Sequence, residues 1–390
     1  MAQTLDSQDG GGLQDLALTW SGRALDVSRI EAELGKLRYM AAGEPASGQG
    51  FALRTSLLNM VVYAEHDEGG LMASRVIEEL ASYHPSRALV VIANAAAKES
   101  LIEAQLAAHC HISRSEEQSV CCEEVTLRVG GPAAFHLHSV IVPLLVPDLP
   151  VYTWWTEQLP ADTHLFRELM ETSDRVVVDS DKFDDELGGM LGLARLAEAV
   201  PRCTLGDLNW DRLEMWRDLL QQQRKITEMR HHLAFVEGVE IRYAGNDDTN
   251  KPGRAILFLA WLARSLGWDV GSVSSHGPQR FTLRADEDRK VSAYIHAVDL
   301  PTVQPGSLAA VKISCRSESA RALLSISRTG DPNHLIVRTE HLGRASEEGY
   351  RLEPAGTSAL LLLELNASPH DAEYNEMLRA AGPLMKAARA

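Results

Sequence analysis

Two apolar runs with a helical segment between them constrain this chain most. Residues 57–64 and 88–93 are almost continuously apolar. Between them, residues 69–80 place Leu71, Met72, Val76, Ile77 and Leu80 on one helical stripe, and Pro85 ends the helix. Fully apolar strands joined through a helix read as a βαβ unit, with parallel strands covered on both faces and a right-handed crossover. Further strands are expected at 125–129, 151–155 and 175–179, and a helix at 165–170. The segment 139–145 is apolar but interrupted by Pro143. Ser180 is placed to cap a next helix, with Asp181, Asp184, Asp185 and Glu186 as a solvated acidic first turn. The first half is therefore a Rossmann-like α/β domain, assigned here to residues 51–200.

Past residue 201 the pattern changes. Trp210, Leu213, Trp216 and Leu220 recur at helical spacing over 207–222, residues 239–243 read as a strand, and 255–266 is apolar all round like a buried helix. Then the period drops to two: Phe281 and Leu283, then Val291, Ala293, Ile295 and Ala297, then Val311 and Ile313, then Leu335 and Val337. That predicts an antiparallel meander with one wet face. Helices over 358–365 and 373–388 close the chain, so residues 201–390 form an α+β domain. Residues 1–50 read as a flexible N-terminal segment. Glycine and serine are rich around 10–12 and 47–50, and a short helix over 27–40 carries Val27, Ile30, Leu34 and Leu37 on one face.

Charge narrows the partners. The chain has 390 residues, with 38 Lys and Arg against 54 Asp and Glu, a net charge of −16. That balance disfavours nucleic acid, whose phosphates require clustered cations, and disfavours an anionic membrane surface. No run reaches the ~20 apolar residues of a spanning helix. The first residues lack a basic and then apolar leader pattern, and five cysteines without a Cys-x-x-Cys suit reduced thiols, so a cytoplasmic location is expected.

Catalytic motifs are missing from the sequence. The first βα turn, residues 65–70, has two glycines but not the Gly-x-Gly-x-x-Gly spacing, and Glu65, Asp67 and Glu68 would repel a pyrophosphate. There is no Walker motif and no Gly-x-Ser-x-Gly elbow. The histidine groups His109/His111 and His136/His138 lack zinc-site spacing, and the acidic run 179–184 lacks a calcium-loop pattern. Cys121 and Cys122 precede Glu123 and Glu124, which would raise a thiol pKa. No metal, cofactor or catalytic residue is expected.

Several tryptophan-bearing blocks are more specific. They are His84-Pro85-Ser86-Arg87-Ala88, the run from Pro143 to Trp155, Asp174 to Ser180, Asp207 to Leu220 and Leu259 to Trp268. In this order, from about Thr55 to Trp268, the sequence resembles the OpcA family, with weaker likeness through the meander. The resemblance implies a non-catalytic assembly factor or allosteric activator of glucose-6-phosphate dehydrogenase in the oxidative pentose phosphate pathway. The thioredoxin control associated with cyanobacterial members is not expected, because the last cysteine is Cys315 and no pair lies near the C-terminus. Trp154, Trp155, Trp210, Trp216 and Arg217 are the interface candidates, weighed against core packing for the rings. The alternative is an enzyme or sensor that binds a sugar phosphate on the α/β domain, with His84 and Arg87 as anion contacts.

Overall fold

The computed structural model describes residues 16–23, 27–41, 56–112, 119–160, 164–246, 248–275, 279–286, 288–317 and 320–390. In chain order the first elements are β1 (Leu16–Arg23), α1 (Val27–Ala41), β2 (Leu58–Ala64), α2 (Asp67–Leu80), β3 (Ser86–Asn94), β4 (Leu101–Ile112) and β5 (Ser119–Gly130). Next come α3 (Leu137–Ile141), β6 (Val151–Trp155), α4 (His164–Thr172), β7 (Arg175–Val178), α5 (Glu186–Ala199), β8 (Thr204–Asp207), α6 (Leu208–Asp211), α7 (Glu214–Lys225) and α8 (Thr227–Leu233). The rest is β9 (Val236–Ala244), α9 (Gly253–Ser265), β10 (Asp269–Ser275), β11 (Arg280–Arg284), β12 (Lys290–Val298), β13 (Leu308–Arg316), β14 (Arg321–Arg328), β15 (His334–His341), β16 (Arg344–Arg351), α10 (Thr357–Asn366) and α11 (Glu373–Arg389).

The chain divides into two units. The first takes its described residues from Met1–Asp179, Ala199–Gly206 and Thr357–Asp371; the second is Ser180–Glu198, Asp207–Gly356 and Ala372–Ala390. This division is interleaved, unlike the contiguous blocks 51–200 and 201–390 expected from sequence. Long-range packing causes it. Arg175 of β7 ion-pairs with Glu364 of α10 at 2.5 Å, and Thr204 of β8 donates to the Pro369 carbonyl, so a late helix belongs to the early sheet.

In the first unit the sheet order is β1-β4-β5-β3-β2-β6-β7-β8. Strands β5, β3, β2, β6 and β7 pair in parallel, and β2 and β3 are buried along nearly their whole length. Burial on both faces is what their continuous apolar sequence required. Renumbered from β2, the order from β5 to β8 is 3-2-1-4-5-6, that of a doubly wound sheet. The sequence reading missed β1 and β4, which add an antiparallel edge. The residues of α2 that meet the sheet differ too. Leu71 is 62% exposed, whereas Gly70 is buried where a Cβ would come within 2.5 Å of Ile92, so helix and strand pack closer than a side chain allows. The N-terminal helix is α1, with Ile30, Leu34 and Leu37 buried; the glycine-rich stretches at 10–12 and 47–50 lie outside the described residues.

The second unit carries the sheet β10-β11-β12-β9-β13-β14-β15-β16. It is not a simple meander: β9 inserts between β12 and β13 and pairs with β12 in parallel. Helix α9 is buried at every position from Gly253 to Ala263, and α11 packs on it. Along β13, Lys312 and Ser314 are half-buried and Arg316 is exposed, alternating with buried Val311, Ile313 and Cys315. That gives the expected wet face.

Candidate functional site

A doubly wound sheet binds ligands beyond the carboxyl ends of its strands, where the strand order reverses. Here that point lies between β2 and β6. One of the protein's own carboxylates stands there. Glu157 follows β6 and accepts from the Glu65 amide at 3.1 Å and from the Thr156 hydroxyl at 3.2 Å. A Cβ on Gly69, in the first turns of α2, would lie 3.5 Å from Glu157 Oε1. The carboxylate thus sits beside the helix start where a dinucleotide's pyrophosphate would lie. Asp67 and Glu68 open α2, and Asp67 pairs with Arg128 at 2.8 Å. The side chains present do not suit a pyrophosphate: an anion placed here meets three carboxylates and displaces a formed hydrogen bond.

The anion contacts of the alternative reading are also occupied. Arg87 on β3 is fully buried. Its guanidinium binds Glu123 of β5 through Nε at 2.7 Å, Glu31 of α1 through Nη1 at 2.7 Å, and the Leu144 carbonyl at 3.0 Å. Burial pulls its pKa down, but the two carboxylates more than offset this and leave it above the ordinary value. A guanidinium shared by two carboxylates offers no fork to a phosphate. His84 Nε2 lies 2.9 Å from Asn366 Oδ1 of α10, closing the turn before β3.

The four tryptophans fill cores. Trp154 and Trp155 are 0% and 1% exposed, and Trp210 and Trp216 are 3% and 1%. Both faces of β6 are covered, so neighbouring rings that point opposite ways are both enclosed. Trp155 stacks on Tyr63 with centroids 4.0 Å apart, meets the edge of Phe166, and donates to the Gln158 carbonyl. Rings this deep offer no exposed face in the chain by itself, so the structure places these four interface candidates in cores. Arg217 lies over the Trp210 ring, 3.8 Å from its centroid, and faces Glu373 at 3.5 Å. Burial lowers its pKa, so Arg217, also an interface candidate by sequence, is here a cation packed on a ring.

The thiols are quiet. Burial pushes Cys122 up to about 11, and Cys203 and Cys315 up to about 12, so none of the three is a thiolate near neutral pH. The side chains of Cys110, Cys121, His109 and His111 lie outside the described residues. His138 bonds Thr172. Among the described residues no group of three or more His, Cys, Asp or Glu could hold a metal.

Sequence reasoning missed the most polar interior, which belongs to the second unit. The acidic segment 181–186 was expected to be solvated, yet Asp181 and Glu186 are 6% and 5% exposed. Asp207 caps α6 by accepting from the Asn209 amide, and it also takes the Ser180 amide and the hydroxyls of Ser180 and Tyr374. Ser180 therefore does not cap α5. Arg254 at the start of α9 pairs with Asp181 at 2.8 Å and donates to Ser307 at 2.7 Å and to Asn209. Glu186 accepts from the Gly253 amide at 2.7 Å and from Asn209 at 3.2 Å. The one signal in the sequence was the Asp207-Leu208-Asn209 cap; the rest is tertiary. These groups bind one another and are buried, so they join segments distant in sequence.

Burial raises the Glu186 pKa from its ordinary 4.5 to about 7, assisted by the charge of Asp181 and opposed by the Gly253 amide. The folded state therefore holds a proton that the unfolded state releases between these values. Stability is fully present below about 4.5 and falls as pH rises through about 7, by about 3 kcal/mol for a shift of this size. Glu186→Gln should flatten this part of the thermal-stability profile; a slope unchanged between pH 4.5 and 7 would refute the assignment.

The fold defines a two-unit α/β protein built on a doubly wound sheet with carboxylates at the usual ligand position. Two family models match the chain in order. The one described as glucose-6-phosphate dehydrogenase subunit N-terminal domain covers residues 77–195, and the one described as the C-terminal domain of that subunit covers 203–378. The chain belongs to the OpcA family. It is 27% identical over 359 residues to a candidate OxPP cycle protein, OpcA, of Synechocystis sp., covering 88% of this chain and 72% of that one. Its counterpart of the same description in Nostoc punctiforme is 28% identical over 340 residues, covering 83% and 70%. Among solved structures, the 3-ketoreductase KijD10 from Actinomadura kijaniata aligns with a TM-score of 0.43 at 13% identity, covering 85% of this chain and 97% of that one. The dehydrogenase MviM from Clostridium difficile aligns at 0.36 and 10% identity, covering 85% and 96%. Likeness at such scores carries no inference about this chain.

Proposed function

We propose that this chain is a non-catalytic partner of glucose-6-phosphate dehydrogenase that binds the enzyme and favours its active state, in the cytoplasm and within the oxidative pentose phosphate pathway. The observation that carries the reading is the ordered match of both halves to domains described as parts of a subunit of that dehydrogenase. Glu157 supports it, because a carboxylate stands at the usual ligand position of the sheet. The sugar-phosphate alternative on the α/β unit loses its support with Arg87 engaged by Glu31 and Glu123. Among the described residues no helix is long and apolar enough to cross a membrane.

An activator acts by binding the active state more tightly than the inactive one. Titrating the dehydrogenase with this chain should therefore lower the apparent substrate dissociation constant by roughly 5–150-fold, the span of a 1–3 kcal/mol coupling. By linkage, glucose 6-phosphate should tighten the complex by the same factor. The net charge of −16 adds that the contacting dehydrogenase surface is basic and that association slows as salt rises. Absence of co-elution together with unchanged substrate saturation would overturn the reading.

A further inference from the structure

The amino ends of β2, β3 and β6 in the first unit carry an apolar surface that the fold leaves uncovered. The chain reaches β6 through residues 142–150, where Asp148 is the sole polar residue and only Leu144 is buried. Val142 is 40% exposed, and Leu145, Val146 and Leu149 are half-buried. Leu57, just before β2, is 54% exposed, and Tyr83, in the turn before β3, is 66% exposed. Hydrogen bonds bring the three stretches to one end of the sheet. The Leu57 amide donates to the Pro85 carbonyl and the Asn59 amide to the Pro150 carbonyl, each at 2.8 Å.

A segment of such composition gains by turning its side chains inward, yet this one is held. Asn59 is fully buried, and its side-chain amide donates to the carbonyls of Val146 at 2.9 Å and Leu149 at 3.3 Å. Its side-chain oxygen accepts the Val146 amide at 2.8 Å. Arg87 holds the Leu144 carbonyl. These buried polar groups claim the backbone of the segment, and its apolar side chains stay wet at a cost set by their exposed area. A surface fixed in this way loses little conformational entropy when a partner covers it.

The rim of the surface is acidic. Glu78 and Glu79 are exposed in the last turn of α2, and Glu171 is exposed in the last turn of α4; neither turn holds a basic residue. Carboxylates at a helix C-terminus oppose its dipole, so neither helix gains from them. Asp148 adds an exposed charge within the segment itself. Arg167, 3.6 Å from Glu171, and Arg75, one turn before Glu78 and Glu79, offset part of this charge.

We infer that this end of the first unit docks glucose-6-phosphate dehydrogenase, on a patch of the enzyme that is apolar at its centre and carries lysine or arginine at its rim. The inference rests on the proposed partnership with that enzyme and adds the surface that serves it. A second copy of this chain fits less well, because a two-fold contact sets the same acidic rim against itself. An anionic membrane is repelled by the same carboxylates.

Titrating the full chain against the dehydrogenase by calorimetry tests it. Leu57→Ser/Tyr83→Ser changes two exposed side chains, so it should melt like the parent and bind the enzyme at least about tenfold more weakly. Leu71→Ser changes a residue 62% exposed at the other end of α2 and should bind like the parent. Glu78→Gln/Asp148→Asn should slow association and flatten its salt dependence. Hydroxyl-radical labelling needs no variant: the enzyme should shield Leu57 and Tyr83 and leave Leu71 labelled. Parental affinity in the folded Leu57→Ser/Tyr83→Ser variant, or Tyr83 still labelled in the complex, would overturn the surface alone. A parent chain that binds no dehydrogenase overturns the partnership and the surface together. Self-association of the parent that the double variant abolishes, with dehydrogenase binding intact, would make the patch a contact between copies and overturn the inference.

Discussion

Replacing Arg87 by Met should lower the stability of the chain by about 3–5 kcal/mol. The side chain is fully buried and holds Glu123, itself 1% exposed, together with Glu31 of α1. Removing the cation leaves a desolvated carboxylate with its countercharge gone, and that penalty exceeds the worth of the intact pair. Melting should drop by roughly 10 °C. Adding Glu123→Gln to Arg87→Met should restore most of the loss, because the uncompensated charge is then removed. The pair of variants also separates the two readings of Arg87. An anion-binding role predicts an unchanged melting temperature and a lost phosphate signal. A structural role predicts lost stability, recovery in the double variant, and no phosphate signal at this site in the parent.

Trp155→Ala should cost a similar amount, about 3–5 kcal/mol, from lost transfer free energy and the cavity left behind. The ring stacks on Tyr63 at 4.0 Å and meets Phe166 at 5.0 Å, and such contacts add about 0.5–1.5 kcal/mol each beyond burial. The Trp155 indole also donates to the carbonyl of Gln158, next to Glu157, so the variant also loosens the segment that carries that carboxylate. Trp155→Phe, which keeps a flat ring, should recover much of the stability. Trp216→Ala makes the same test in the second unit, where the ring is 1% exposed. If either alanine variant melts like the parent but no longer binds the dehydrogenase, the ring is an interface anchor and its assignment to the core fails.

Much of the first unit was legible in the sequence. Residues 57–64 and 88–93 have no polar face to offer water, so they had to be central, parallel and doubly covered, and β2 and β3 are. Alternation in β13, β14 and β15 likewise dictated a sheet with one wet face. The short-range code faltered where partners are remote. β4 carries Glu103, Ala104, Gln105, Leu106, Ala107 and Ala108, residues that favour helix over strand, and it is a strand because β1 and β5 flank it. The insertion of β9 beside β12 depends on which strands meet, and each strand carries the same alternating signal either way.

The candidate sites divide along the same line. Acid in the first βα turn was visible, and it told against a pyrophosphate from sequence alone. That Glu157, about ninety residues further on, would lie over that turn was not visible, because no local pattern links it to Glu65. From sequence Arg87 is at most an anion contact and the acidic segment at 181–186 a solvated helix start, because ionised groups are rarely buried. Only the fold brings Glu31 and Glu123 to the first, and Arg254 to Asp181 in the second, which makes burial of those charges tolerable. By itself the sequence determined the strand and helix periods, the acidic balance and the family blocks, all properties of neighbouring residues. Tertiary structure decided which charges are paired and which rings are hidden, since each of these depends on residues that only folding brings together.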